Sequence, residues 1–202
     1  MKRNFLLLSF SFLLILNWSC KKDDDGAVVV EDDIPIPAGP IVVNNTGFEY
    51  SPSGWPDGWW HRNEPYKVEW TNEDAFSGNY SVSITSDTLV DDFNYWGQTI
   101  TENIQPGKKL ILRVNIKTVN VEGEGASIVI RGDNTPTPQG TAELFISTQG
   151  DIFIGGTHNW KEYSVKLEEP ISPSILSISI YLVLLPYTTG QIFFDDITLT
   201  YE

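Results

Sequence analysis

The sequence predicts an all-β fold, an antiparallel β-sandwich of the jelly-roll type. Three observations carry this. From Ile41 onward apolar residues recur with period two, and no stretch shows a helical period. The alternating segments are short and separated by turn signals: Ser77-Gly78, Pro106-Gly107, Gly123 with Gly125, Gly155-Gly156 and Thr189-Gly190. About ten such segments fit between Ile41 and Glu202, and strands without helices pack sheet on sheet.

The strongest segment is 109–118, with Leu110, Leu112, Val114 and Ile116 on one face and Ile111, Arg113, Asn115 and Lys117 on the other. Tyr80, Val82 and Ile84 alternate with Ser81, Ser83 and Thr85. Ala126, Ile128 and Ile130 alternate with Ser127, Val129 and Arg131. In 176–185 the inward set is Leu176, Ile178, Ile180, Leu182 and Leu184, and 191–201 is a last long strand. Shorter strands are expected at 48–50, 66–70, 95–101, 142–147 and 161–166. Strands with one polar face suit a sandwich whose outer faces meet water.

Composition narrows the function. Thirteen basic residues against 27 acidic ones give a net charge of -14. Such a chain repels phosphate, which excludes nucleic acid as a partner. With 41% hydrophobic residues and seven Trp it can build a core. One Cys excludes a disulfide framework and a Cys-rich zinc site, and two His leave little for transition metals.

Residues 1–19 read as a signal peptide. Lys2 and Arg3 form the positive end, and 5–16 is apolar except for Ser9 and Ser11. That run falls short of the roughly 20 residues needed to span a bilayer. The single Cys, Cys20, follows Asn17-Trp18-Ser19, a context that resembles the lipobox of bacterial lipoproteins. The resemblance implies an acylated Cys20 as mature N-terminus and attachment to the membrane through lipid. Lys21-Lys22-Asp23-Asp24-Asp25 resembles the export signal of some Bacteroidetes lipoproteins, which implies the outer face of the outer membrane. Residues 20–40 then form an acidic tether carrying Pro35, Pro37 and Pro40, and 41–202 form the folded domain.

The domain also carries motifs in a familiar order. Asn45-Thr46-Gly47-Phe48-Glu49 is followed by Pro56-Asp57-Gly58-Trp59 and by Phe76-Ser77-Gly78-Asn79-Tyr80. Trp96-Gly97-Gln98, Pro106-Gly107-Lys108 and Trp160-Lys161-Glu162-Tyr163 come next, and the chain closes on Phe193-Phe194-Asp195-Asp196-Ile197. This order resembles the galactose-binding-like jelly rolls that include carbohydrate-binding module families 4, 9 and 22. The resemblance implies a structural calcium tying the first strand to the last, with Gly47, Glu49, Ser77 (or Gly78) and Asp195 as matching positions. Calcium takes six to eight oxygens, which carboxylates and carbonyls supply. By parity with Phe193, Ile197 and Leu199, Asp195 is expected to point inward, with Asp196 as the alternative if the register is off by one.

The resemblance also implies a polysaccharide or oligosaccharide ligand. Sugar C–H faces stack on aromatic rings while polar side chains take the hydroxyls. Aromatics cluster at Trp55, Trp59, Trp60, Tyr66 and Trp70 and again at Phe93, Tyr95 and Trp96. Trp59 and Trp160 read as structural. Trp60, Tyr95 and Trp96 are the stacking candidates, with Arg113 and Arg131 as hydroxyl partners and Asn115, Lys117 and Tyr181 as further polar-face residues.

Catalysis finds no motif: there is no Gly-x-Ser-x-Gly and no His-Glu-x-x-His. Adjacent acids such as Asp91-Asp92 point to opposite faces of a strand, so they do not make a glycosidase pair. The leading expectation is a non-catalytic carbohydrate-binding lipoprotein. An envelope domain that meets protein partners without sugar affinity is the alternative, followed by a small glycan-active enzyme.

Overall fold

The structure, a computed structural model, describes residues 39–62 and 66–202. The signal peptide, Cys20 and the tether as far as residue 38 lie outside the described residues. The described part is all-β. Its strands are β1 (Trp60–His61), β2 (Lys67–Thr71), β3 (Ser81–Ser86), β4 (Asn94–Ile100), β5 (Leu110–Asp133), β6 (Leu144–Ser147), β7 (Ile154–Lys166), β8 (Ser177–Leu184) and β9 (Thr189–Tyr201).

All pairings are antiparallel, and the hydrogen-bonded path runs β1-β4-β8-β5-β9-β3-β2, with β6 and β7 as further partners of β5. The 24-residue β5 explains how one path makes two layers. Its first half, 110–119, lies between β9 and β7. Its second half, 126–133, lies between β8 and β6. One layer is therefore β2-β3-β9-β5-β7, and the other is β1-β4-β8-β5-β6. The sequence reading split β5 in two because the alternation breaks at 120–125. That break is the corner: Asn120, Gly123 and Gly125 take positive φ there. A Cβ on Gly123 would fall 1.9 Å from the Tyr187 carbonyl oxygen, so the corner needs glycine.

The two inner faces interdigitate. Val82, Ile84, Leu112, Ile116 and Phe194 from the first layer are fully buried, as are Trp96, Ile128, Ile130, Ile180 and Leu182 from the second. Each such side chain contributes roughly 1.5–3 kcal/mol of transfer free energy, which is what holds the layers together. Trp96 also bridges them, its indole N–H donating to the Ser83 carbonyl at 3.2 Å.

Three expectations are corrected. Leu176 is 52% exposed, because β5 and β8 end at the pair Asp133 and Ser177 and the chain leaves the sandwich there. Residues 48–50 form no strand: Phe48 turns at φ 58 and plugs the core against Trp59, at a ring distance of 5.0 Å. Asn45 holds that turn, its side chain bonding both the N–H and the C=O of Tyr50. Asp195 does not face the sandwich interior. It lies opposite Asn115, in step with Phe193 opposite Lys117, on the outer face of its layer. A β-bulge at 195–196, with Asp196 at φ 46, then returns Ile197 and Leu199 to the inner face.

Candidate functional site

The two outer faces differ. Over the first layer, the 72–80 connection between β2 and β3 lies as a strap. Asp74 pairs with Lys117 of β5 and accepts the Trp160 indole N–H of β7 at 2.8 Å. The N–H groups of Phe76 and Ser77 donate to Asp195 of β9. Ser81 and Ser83 of β3 are consequently buried although their side chains lie on an outer face.

The outer face of the second layer is open. Register places Trp60 opposite Gly97, Gly97 opposite Tyr181, and Tyr181 opposite Val129. Next to this row stand Tyr95, Val183 and Ser127, and on its other side Thr99, Ser179, Arg131 and Phe145. The six-membered ring of Trp60 covers Gly97, where a Cβ would come within 2.8 Å of it. That placement sets Trp60 edge-on to Tyr95 (5.3 Å, 89°) and to Tyr181 (5.6 Å, 88°). Tyr95 and Tyr181 are themselves edge-on (5.3 Å, 88°), so three rings brace one another in the geometry their quadrupoles favour.

Beside this triplet runs a groove of about 390 Å³. Its floor is Val129, Val183 and Leu185, a small apolar cluster separate from the main core. Phe93, Tyr95 and Tyr181 line one side, and Phe145 and Gln149 the other. Arg131 lines one end. Its Nε and Nη2 bind the two carboxylate oxygens of Asp133 at 2.8 and 2.7 Å, and Nη2 also reaches the carbonyls of Gln139 and Gly140. This pairing holds the buried Asp133 carboxyl below its ordinary range and raises the Arg131 guanidinium. Burial pushes the Tyr181 hydroxyl up, and the Arg131 charge works against that. No carboxylate or imidazole lines the groove among the described residues. The surface can stack on C–H faces and donate a few hydrogen bonds; it offers no acid–base pair.

The structure thus brings Trp60, Tyr95 and Arg131 together with Tyr181. It removes Trp96, which is fully buried in the core: neighbouring strand residues point to opposite faces, so Tyr95 and Trp96 cannot share a surface. It also separates Arg113, which lies on the outer face of the other layer, 4.0 Å from Glu162. Sequence reasoning missed Phe145 and the aliphatic floor. Phe145 joins the site through its register opposite Arg131, for which a single short strand carries no signal.

The positions matched to calcium also converge. A Cβ on Gly47 would stand 3.3 Å from Asp196 Oδ1, 3.9 Å from Asp195 Oδ1 and 4.0 Å from Glu49 Cγ. Glu49 accepts the N–H groups of Asn79 and Tyr80, and Asp196 accepts the Ser77 hydroxyl. Burial, reinforced by the Asp196 charge, pushes Asp195 up to about 6 against the pull of the Ser77, Asp196 and Phe76 N–H groups. No Lys or Arg pairs with Glu49, Asp195 or Asp196 among the described residues. An all-oxygen donor set of excess negative charge fits calcium chemically. The described acids do not close into a ready-made cage of three or more metal-binding groups.

No protein-family model matches the chain, and no curated protein matches it. Solved structures do. The enzymatically active domain of tailspike protein 4 from bacteriophage CBA120 superposes with a TM-score of 0.58 at 17% identity, over 80% of this chain and 21% of that one. A cyclase from Fischerella sp. TAU gives 0.60 at 20% identity, over 81% of this chain and 97% of that one. A family 4 carbohydrate-binding module gives 0.52 at 17% identity, over 80% of this chain and all of that one. These likenesses define the class: an all-β jelly-roll sandwich of the kind found in carbohydrate-binding modules. At such identities they speak for the fold alone, which serves binding modules and enzymes alike.

Proposed function

We propose that this chain is a non-catalytic carbohydrate-binding protein, with the open outer face of the second layer holding a polysaccharide or oligosaccharide. One observation carries the reading. Trp60, Tyr95 and Tyr181, three mutually edge-on and partly exposed rings, border an apolar groove, while the strap covers the opposite face. Solvent-facing rings that are already braced lose little freedom when a sugar face stacks on them. The reading assigns the groove stacking and hydrogen-bonding contacts alone; hydrolysis would call for two carboxylates about 5–9 Å apart, and none lines the groove among the described residues.

Two further elements belong to the proposal. A structural calcium held by Glu49 and Asp195, with carbonyl oxygens of Gly47 and Ser77, would neutralise the acids that anchor the strap. Acylation of Cys20 would place the domain on the outer membrane, facing outward, where envelope proteins are further partners.

The test is a glycan-array and affinity-electrophoresis screen of the full chain, with calcium and with chelator. Saturable binding that falls at least tenfold in Trp60→Ala and Tyr181→Ala, in variants with unchanged far-ultraviolet dichroism, is the expected result. A folded chain that binds no glycan at all would hand the surface to protein partners.

A further inference from the structure

We infer that the groove is matched to sugar units that carry methyl groups, either 6-deoxyhexoses or O-acetylated residues. This rests on the carbohydrate reading above and narrows it. Outer faces of sandwich strands ordinarily carry polar residues. Here Val129, Val183 and Leu185 form the floor, and Tyr95 and Tyr181 pack against them. This cluster contributes nothing to the main core, from which the sheet itself separates it.

The polar complement is correspondingly thin. Ser127 lies among the lining residues, but the residue is buried and its hydroxyl is engaged with Thr148 Oγ1 at 3.1 Å. Arg131 spends Nε and Nη2 on Asp133 and on two carbonyls, leaving Nη1 for a ligand. Gln149 and the tyrosine hydroxyls stand at the margins. A hydroxyl-bearing sugar face pressed onto the floor would lose its water and gain no partner, which opposes binding. A methyl group there replaces that loss with buried apolar area. The walls formed by Phe93 and Tyr181 on one side and Phe145 on the other leave room for the sugar ring above it.

Charge points the same way. Arg131 is neutralised by Asp133, Arg62 near the groove by Asp92, and the chain carries -14 overall. Among the described residues the groove therefore offers uronic and sulfated sugars no unpaired cation, and the methyl-bearing unit is a neutral one.

The experiment is isothermal calorimetry on the full chain with two matched pairs. One pair is acetylated glucomannan and the same polymer after alkaline deacetylation; the other is the methyl glycosides of L-fucose and L-galactose, which differ only in the C6 hydroxyl. The expected result is that the methyl-bearing member of at least one pair binds ten times more tightly than its partner. Which pair shows the ratio distinguishes acetyl from deoxy methyl. Val183→Thr, which keeps the side-chain shape but replaces one methyl by a hydroxyl, is expected to narrow that ratio to about threefold or less; Val129→Thr serves as the second variant if the first is unstable. Equal affinity within both pairs overturns this inference and leaves the carbohydrate reading standing. Absence of binding to all four saccharides by a chain that binds another glycan in the array screen overturns this inference alone; absence of binding across the whole screen, with a cooperative thermal melt intact, removes the carbohydrate reading itself.

Discussion

The indole of Trp60 lies across the bare backbone of Gly97, close enough that a Cβ there would sit 2.8 Å from the ring. Gly97 thereby sets the position of the aromatic triplet. Gly97→Ala should lift Trp60 away from Tyr95 and Tyr181. Because Trp60 is already 37% exposed, the displacement should cost only about 1 kcal/mol of stability. Saccharide affinity should fall about tenfold, with a changed near-ultraviolet dichroism signal. Unaltered affinity and an unaltered aromatic signal would mean that the triplet does not depend on this contact.

Trp96 gives the opposite pattern. It is fully buried and bonds across the layers to the Ser83 carbonyl. Trp96→Ala should cost about 3–5 kcal/mol, read from urea denaturation. Trp96→Phe, which keeps most of the volume, should restore much of that stability and retain saccharide binding. A Trp96→Phe protein that is stable yet cannot bind would return this residue to the site.

Asp195 supplies a pH signature. Its pKa rises in the folded state from 3.8 to about 6, so its ionised form is disfavoured by folding. The cost is absent below about pH 4, grows through about pH 6 and is fully present at pH 7, on the order of 3 kcal/mol. Without divalent cations, Asp195→Asn should therefore melt higher than the parent at pH 7, with the difference vanishing toward pH 4. Added calcium should stabilise the parent at pH 7 and leave the variant unmoved. Equal calcium responses in the two proteins would argue against a metal at Asp195.

Asp133 holds Arg131 by a bidentate pair in which the carboxylate is 2% exposed. Its pKa is lowered, so the pair stabilises the fold above the ordinary carboxylate range and that contribution is lost as pH falls below it. Asp133→Asn should destabilise the protein by about 1–3 kcal/mol at pH 7. It should also leave Arg131 with unpaired charge at the groove, so that uronic-acid oligosaccharides gain affinity relative to neutral ones. Calorimetry at low and high salt tests this, since the gain should shrink as salt screens it.

Much of the fold was legible in the chain itself. Alternation at 110–116, 126–130 and 178–184 gave both strand positions and inner faces, because a half-buried strand must place every second residue in the core; at 192–194 it gave the strand but the wrong face, since Ile192 and Phe194, not Phe193, point inward. The parity rule failed where the backbone departs from a plain strand. At 195–196 an extra residue enters β9, so Asp195 emerges on the outer face although Ile197 and Leu199 lie inside. Nothing in the side chains of Asp195 and Asp196 announces that bulge.

The site was legible in part. Composition and pattern determined an acidic, helix-free sandwich rich in aromatics, because these are properties of the chain and of the strand period. Which aromatics meet a ligand was decided by tertiary structure. Tyr95 and Trp96 had to part company across β4, and Trp60 reached the surface row only by pairing opposite Gly97. Phe145 and Val129 joined the groove through strand partners far away in sequence, and Arg113 was carried to the covered layer when β5 crossed from one sheet to the other. Side-chain period is a local property of one strand. Register and layer are relations between strands, set by the packing of the whole core.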